Sequence, residues 1–138
     1  MMKQNWFQGE SNVKIEINLN NEKYIHPPMN IQLDNLPETK KKAIREFVSS
    51  LKERYKDKII RIILFGSMVR GDFLEESDID ILVIGEGINL LDISKLTSKI
   101  LLEYGEVIVP IVRSENEFQK RKTYTFYRTI LKEGVELA

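Results

Sequence analysis

Cysteine is absent from the 138 residues, which removes disulfides, thiolate nucleophiles and cysteine-based zinc sites together. Histidine occurs once, as His26 beside Pro27 and Pro28. One imidazole without thiols cannot build a nitrogen–sulfur metal centre, so His26 reads as an exposed arm residue. No apolar run approaches the ~20 residues of a membrane-spanning helix. Residues 1–20 have neither a basic start nor an apolar core, so no secretory leader is expected and the chain reads as cytoplasmic. Neither sign of charge is in excess, with 21 Lys and Arg against 21 Asp and Glu. Gripping a phosphate backbone at large needs a basic surplus, so general nucleic-acid binding is not expected.

What is present suits one α/β domain. The length fits the roughly 100–200 residues of a single domain. Residues 1–35 form an amino-terminal strand and irregular arm: Val13, Ile15, Ile17 and Leu19 alternate with polar residues, the period of a half-buried strand. The arm either packs on the domain or joins a partner's sheet. Residues 36–138 carry the main domain. Pro37 and Glu38 suit a helix's first turn, and Ile44, Phe47, Val48, Leu51 and Tyr55 follow at helical spacing. The other positions of that helix hold a surplus of lysine and arginine, read either as a solvated face or as an attraction for an anion. The β-branched run at 59–65 stops at Gly66 and reads as an interior strand, with a second strand at 79–84. A helix is expected over 89–104, with Ile93, Leu96, Ile100, Leu101 and Tyr104 on its apolar stripe and Gly105 ending it. A third strand spans 106–112, at a sheet edge or bulged because Pro110 has no N–H to donate. Helices from Ser114 and over 125–132 complete a small sheet with helices packed on it.

The chemistry lies between Phe65 and Val83. After the first strand comes Gly66-Ser67-Met68-Val69-Arg70-Gly71. A glycine admits close approach to the backbone, and the amides of a following helical turn carry partial positive charge, which is an anion site in outline. Ser67 adds a hydroxyl, and Arg70 a planar fork that can grip a phosphate. A tight strand-to-helix turn with a solvated arginine is the plain alternative. Further on, Asp78 and Asp80 stand two residues apart on the second strand, so both carboxylates leave one face, about 6.6–6.8 Å apart at Cα. Ile79, Ile81 and Val83 take the other face. Two like charges there repel, and Mg²⁺ shared with substrate phosphates is the natural neutraliser. Antiparallel pairing of the two strands would set the glycine–serine turn beside the acids.

The joint pattern of Gly-Ser, Arg-Gly and Ser-Asp-Ile-Asp followed by apolar residues resembles the nucleotidyltransferase superfamily that includes DNA polymerase beta. Within it the chain looks like the minimal nucleotidyltransferases of archaea and bacteria. The likeness is specific over residues 59–83, looser through Val112, and returns at Leu131-Lys132-Glu133-Gly134-Val135; it does not cover residues 1–35. The resemblance implies a small mixed sheet and assigns roles. Gly66, Ser67, Arg70 and Ser77 would bind a nucleoside triphosphate, ATP first among them. Asp78 and Asp80 would be the catalytic carboxylates holding two Mg²⁺. A nucleoside monophosphate would pass to a hydroxyl, and pyrophosphate would leave. Many members act as the antitoxin of a toxin–antitoxin pair with a HEPN-domain protein, which implies such a partner and a protein acceptor. A second copy of the chain is the other partner left open.

The family also carries a third carboxylate, on the third strand. Here the alignment puts Pro110 in its place. Glu106 shares that parity but lies four strand steps away, about 13 Å, and Glu75, Glu76 and Glu115 are loop alternatives. Two functions therefore stand: a transferase, or a nucleotide- and partner-binding module of the same fold without turnover.

Overall fold

The computed structural model describes residues 31–138 and the segments 14–17 and 23–26. The two segments are strands β1 (Lys14–Ile17) and β2 (Lys23–His26), paired antiparallel with Lys14 opposite His26. The strand expected from the alternation at 13–19 is there, but its partner comes from the stretch expected to be irregular. Together they form a two-stranded sheet separate from the main one. The exposure expected for His26 concerns a side chain outside the described residues.

A short turn, α1 (Ile31–Asp34), leads through Pro37 into α2 (Glu38–Tyr55). Pro37 occupies the N-cap in extended geometry, where its missing N–H costs nothing. The five expected apolar positions of α2 are all buried, and Leu33 and Leu36 join the same core. One basic residue of α2 does not lie on a solvated face: Lys40 is fully buried. After a 3₁₀ turn, β3 (Ile59–Phe65) runs into the single turn α3 (Ser67–Arg70), then a loop, then β4 (Ile79–Gly85). Helix α4 (Leu90–Tyr104) crosses back to β5 (Ile108–Arg113). Asn89 caps α4 by accepting from the Leu91 N–H, and Gly105 ends it in the left-handed region. Of its expected stripe, Leu101 instead points outward at 47% exposure, because the inward line runs through buried Ile93 and Ile100 and partly buried Leu96 and Tyr104, and Leu101 lies 100° from Ile100.

The chain closes with α5 (Glu115–Arg121), α6 (Thr125–Glu133) and a two-residue strand, β6 (Val135–Glu136). Ser114 and Glu117 form the reciprocal capping box that starts α5. Sheet order is β5-β4-β3-β6, with β3 antiparallel to both β4 and β6 and β4 parallel to β5. Pro110 does lie on an edge strand. Ile79 donates to the Val107 carbonyl, so alternation along β5 turns the Pro110 nitrogen away from β4 to the open edge.

Both faces of the sheet are covered, which explains its nearly continuous apolar strands. Ile79, Ile81 and Val83 pack with Ile62 and Leu64 against α2 and α4. Leu82, Ile84 and Ile63 pack on the other side against Phe118, Tyr127 and Ile130 of α5 and α6. That second layer stops short of the beginning of β4. The face carrying Asp78 and Asp80 is open there, and covered from Leu82 onward.

Candidate active site

Gly66 makes the corner. Its φ of 78° with ψ of −150° belongs to a region open essentially to glycine alone. A Cβ at that position would also meet the Asp80 Oδ2 oxygen at 2.5 Å, inside any real contact. Backbone shape therefore requires glycine, and any larger residue would also displace the Asp80 carboxylate from its place. Its carbonyl accepts from the amides of Val69 and Arg70, both at 3.1 Å, which winds the single turn α3. The amides of Ser67 and Met68 open that turn and have no carbonyl within it to bind. Ser67 is half-buried, and Gly71 ends the turn in the left-handed region with φ 85°.

Antiparallel pairing places Phe65 directly opposite Asp80, so the end of β3 and the beginning of β4 meet at this corner. Asp78 is exposed and Asp80 half-buried. Burial, and next the charge of Asp78, push the Asp80 carboxyl above the usual aspartate range, while the Arg70 guanidinium pulls the other way. Among the described residues neither aspartate sits in an ion pair. Arg70 itself pairs with Asp72 at 3.3 Å at an exposed position. The loop is closed by Ser77: its Oγ accepts from the Leu74 N–H at 2.8 Å, and its own N–H donates to the Leu74 carbonyl at 3.0 Å. The structure thus brings Gly66, Ser67, Asp78 and Asp80 to one place with Arg70 beside them. Ser77 is engaged in holding the loop.

The position expected for a third acid is corrected by the register. Asp80 pairs with Val109, and Pro110 pairs with Ile81. Paired residues of neighbouring strands share a face, so it is Val109 that stands beside Asp80, while Pro110 faces the α4 side. Glu106 shares the parity of Ile108 and Pro110 and is also on that far side. There it is buried, accepting from Lys40 Nζ at 2.6 Å and from Thr39 Oγ1 at 2.7 Å. Lys40 also donates to the Ser77 carbonyl at 3.1 Å. Glu75 and Glu76 are exposed on the loop, and Glu115 opens α5 beyond the other end of β5, its N–H donating to Glu86 Oε1. Among the described residues no three acidic or imidazole groups are grouped to hold a metal ion. Two carboxylates, mutually repelling and unpaired, nevertheless fit Mg²⁺, which takes one or two carboxylates and completes its shell with substrate phosphates and water.

Sequence reasoning missed the buried Lys40–Glu106 pair. A signal existed: position 40 stands one turn before Ile44 on the line 40, 44, 47, 51 and 55, which is the buried stripe.

The nucleotidyltransferase domain family model matches residues 44–133. A Methanocaldococcus jannaschii protein provisionally named a protein adenylyltransferase is 50% identical over 93 residues, covering 67% of this chain and 92% of its own. A second protein of that organism with the same provisional name is 36% identical over 98 residues, covering 68% and 94%. A solved structure described as a provisional minimal nucleotidyltransferase is 27% identical with a TM-score of 0.51, covering 73% of this chain and 96% of that one.

Proposed function

The chain belongs to the nucleotidyltransferase domain family, an enzyme family, and we propose that it transfers AMP from ATP to a hydroxyl group of a partner protein. The observation that carries this reading is the approach of Asp80 to the glycine corner, where a Cβ on Gly66 would overlap its carboxylate, with Asp78 close enough to act on it by charge. A triphosphate seated on the Ser67 and Met68 amides has its α-phosphate end at the aspartates. Asp78 and Asp80 would hold Mg²⁺, which when bound neutralises the phosphates and lowers the pKa of the attacking hydroxyl. The acceptor oxygen bonds to the α-phosphorus, its proton leaves to solvent, and the α–β bridge breaks to release pyrophosphate. Gly66 and the α3 turn would hold the leaving phosphates in line, and Arg70, whose charge already reaches Asp80, would meet the charge that develops on them.

The protein acceptor is supported by the provisional names of the relatives. The likeness to minimal nucleotidyltransferases makes a HEPN-domain toxin the partner to try first. Double substitution Asp78→Asn with Asp80→Asn abolishes Mg²⁺-dependent ATP binding, measured by calorimetry. Binding equal to wild type in that variant would end the proposal.

Val109 beside Asp80 favours a second reading, a module that binds nucleotide and partner without turnover. Incubation with α-labelled ATP, Mg²⁺ and a co-expressed neighbouring protein separates the two. Label on the neighbour means transfer; tight ATP binding with label on no acceptor means the module.

A further inference from the structure

Four aromatic rings run edge to face from the sheet's covered side to the corner. Phe118 and Tyr127 are buried with centroids 6.2 Å apart and planes at 76°. Tyr127 meets Phe126 at 5.3 Å and 83°, and Phe126 meets Phe65 at 5.9 Å and 88°. The row is anchored at its inner end, where Arg113 Nε donates to the Tyr127 hydroxyl at 3.0 Å. Its outer members behave differently. Phe65 is half-buried directly opposite Asp80, and Phe126 leaves 49% of its surface to solvent.

Core packing accounts for only part of Phe126. The buried stripe of α6 is Tyr127 and Ile130; Phe126 lies 100° from the first and 40° from the second, at the border of that stripe with one side open. Tyr124 at the N-cap of the same helix is also exposed but takes no part in the row of rings, whereas Phe126 is fixed by two neighbours and open on one side, a ready stacking surface. Few rotatable bonds remain to be frozen when something lies on it. Its location decides what that something is. Directly opposed residues of antiparallel strands are about 5 Å apart, and one ring-to-ring step of 5.9 Å follows. The exposed ring is therefore one ring-to-ring contact beyond the side chain that stands directly opposite Asp80, on the side from which a nucleoside with its α-phosphate at the acids would extend.

We propose that Phe126, braced by Phe65 and Tyr127, is the platform on which the base of the nucleoside triphosphate stacks, with purines held more tightly than pyrimidines. The inference rests on the reading of the acids and the glycine corner as the phosphate site. Stacking needs only a π-face and is tolerant of base identity, so preference follows ring area. ATP and GTP accordingly bind alike, and CTP and UTP bind more weakly.

The experiment compares Mg²⁺-dependent binding of ATP, CTP and inorganic tripolyphosphate to the wild type, Phe126→Ala, Phe126→Leu and Phe126→Trp. Tripolyphosphate has the phosphates without the base. The alanine variant is expected to lose roughly tenfold or more in ATP affinity and to keep its tripolyphosphate affinity. The leucine variant retains apolar packing against Phe65 but has no π-face, so it shows the same selective loss with the fold secured. The tryptophan variant binds ATP at least as well as wild type. Equal affinities for ATP across all four proteins, or parallel losses for ATP and tripolyphosphate, overturn the platform and leave the phosphate site standing. Wild-type protein that binds neither ligand overturns the site reading and the platform with it.

Discussion

Glu106 and Asp80 lie near the same end of the sheet, on opposite faces, and meet opposite fates. Glu106 is buried and fully answered: Lys40 gives it a charge-assisted hydrogen bond and Thr39 a second donor. Asp80 is half-buried and forms no ion pair among the described residues: Arg70 acts on it only by charge from a distance, and its nearest charged companion on the strand is another acid. An acid that folding merely tolerates acquires donors, as Glu106 has. A carboxylate left beside a like charge at the glycine corner is what the proposed Mg²⁺ would neutralise. The difference separates structure from chemistry across one sheet.

The comparison breaks most visibly at Lys40. Removing one partner of a buried pair leaves an uncompensated charge, so Lys40→Met lowers unfolding stability by about 3–5 kcal/mol, measured by urea denaturation. Lys40→Met with Glu106→Leu removes both charges, and stability returns to within about 1 kcal/mol of wild type or exceeds it. A single variant as stable as wild type would show that the pair contributes nothing. The Lys40 ammonium also holds the Ser77 carbonyl, one residue before Asp78. The restored double variant therefore reads out whether the entry to β4 keeps its place without that bond.

The comparison sharpens at Val109. Register puts this side chain beside Asp80 on the open face at 39% exposure, so a carboxylate there would join the pair rather than the core. Val109→Asp is expected to tighten Mg²⁺ binding on the order of tenfold, because affinity for hard cations rises with the number of charged oxygens. Without the cation the same variant melts lower than wild type, from repulsion among three acids. Unchanged Mg²⁺ affinity by calorimetry would mean that the pair does not bind the ion on this face.

How much of this was legible in the sequence follows the distance over which each feature acts. Asp78 and Asp80 could be placed on one face because strand alternation is local, and Ile79, Ile81 and Val83 opposite them are buried as expected. The helices over 38–55 and 90–104 followed from period and caps. Pro110 was misplaced because register between parallel neighbours is set across a fifteen-residue helix, and a slip of one residue moves every side chain to the other face. Lys40 was lost among Lys41 and Lys42, since composition reads three lysines as one solvated patch. β6 is two residues long and has no period to detect. Phe126 acquires its place only when α6 folds back over the end of β3.

The smallest effect is the most direct reading of the open carboxylate. The folded Asp80 has its pKa raised above the ordinary aspartate value of about 3.9. The folded state then holds its proton more tightly than the unfolded chain. Stability contributed by that proton is full below the ordinary value and is lost as pH climbs through it to the raised one, after which the loss is constant. Asp80→Asn removes the ionisation, so at pH 7 the metal-free variant melts above wild type, and the two converge below the ordinary aspartate value. Mg²⁺ reverses the order, since it stabilises only the protein that retains the carboxylate. Glu106 supplies the control. Its carboxylate is hydrogen-bonded to Lys40 and Thr39, so Glu106→Gln leaves the buried ammonium without its partner and lowers the melting temperature at pH 7, and Mg²⁺ shifts that variant by as much as it shifts wild type. An aspartate variant that melts lower than wild type at neutral pH without metal would mean that Asp80, like Glu106, is held by the fold for its own sake.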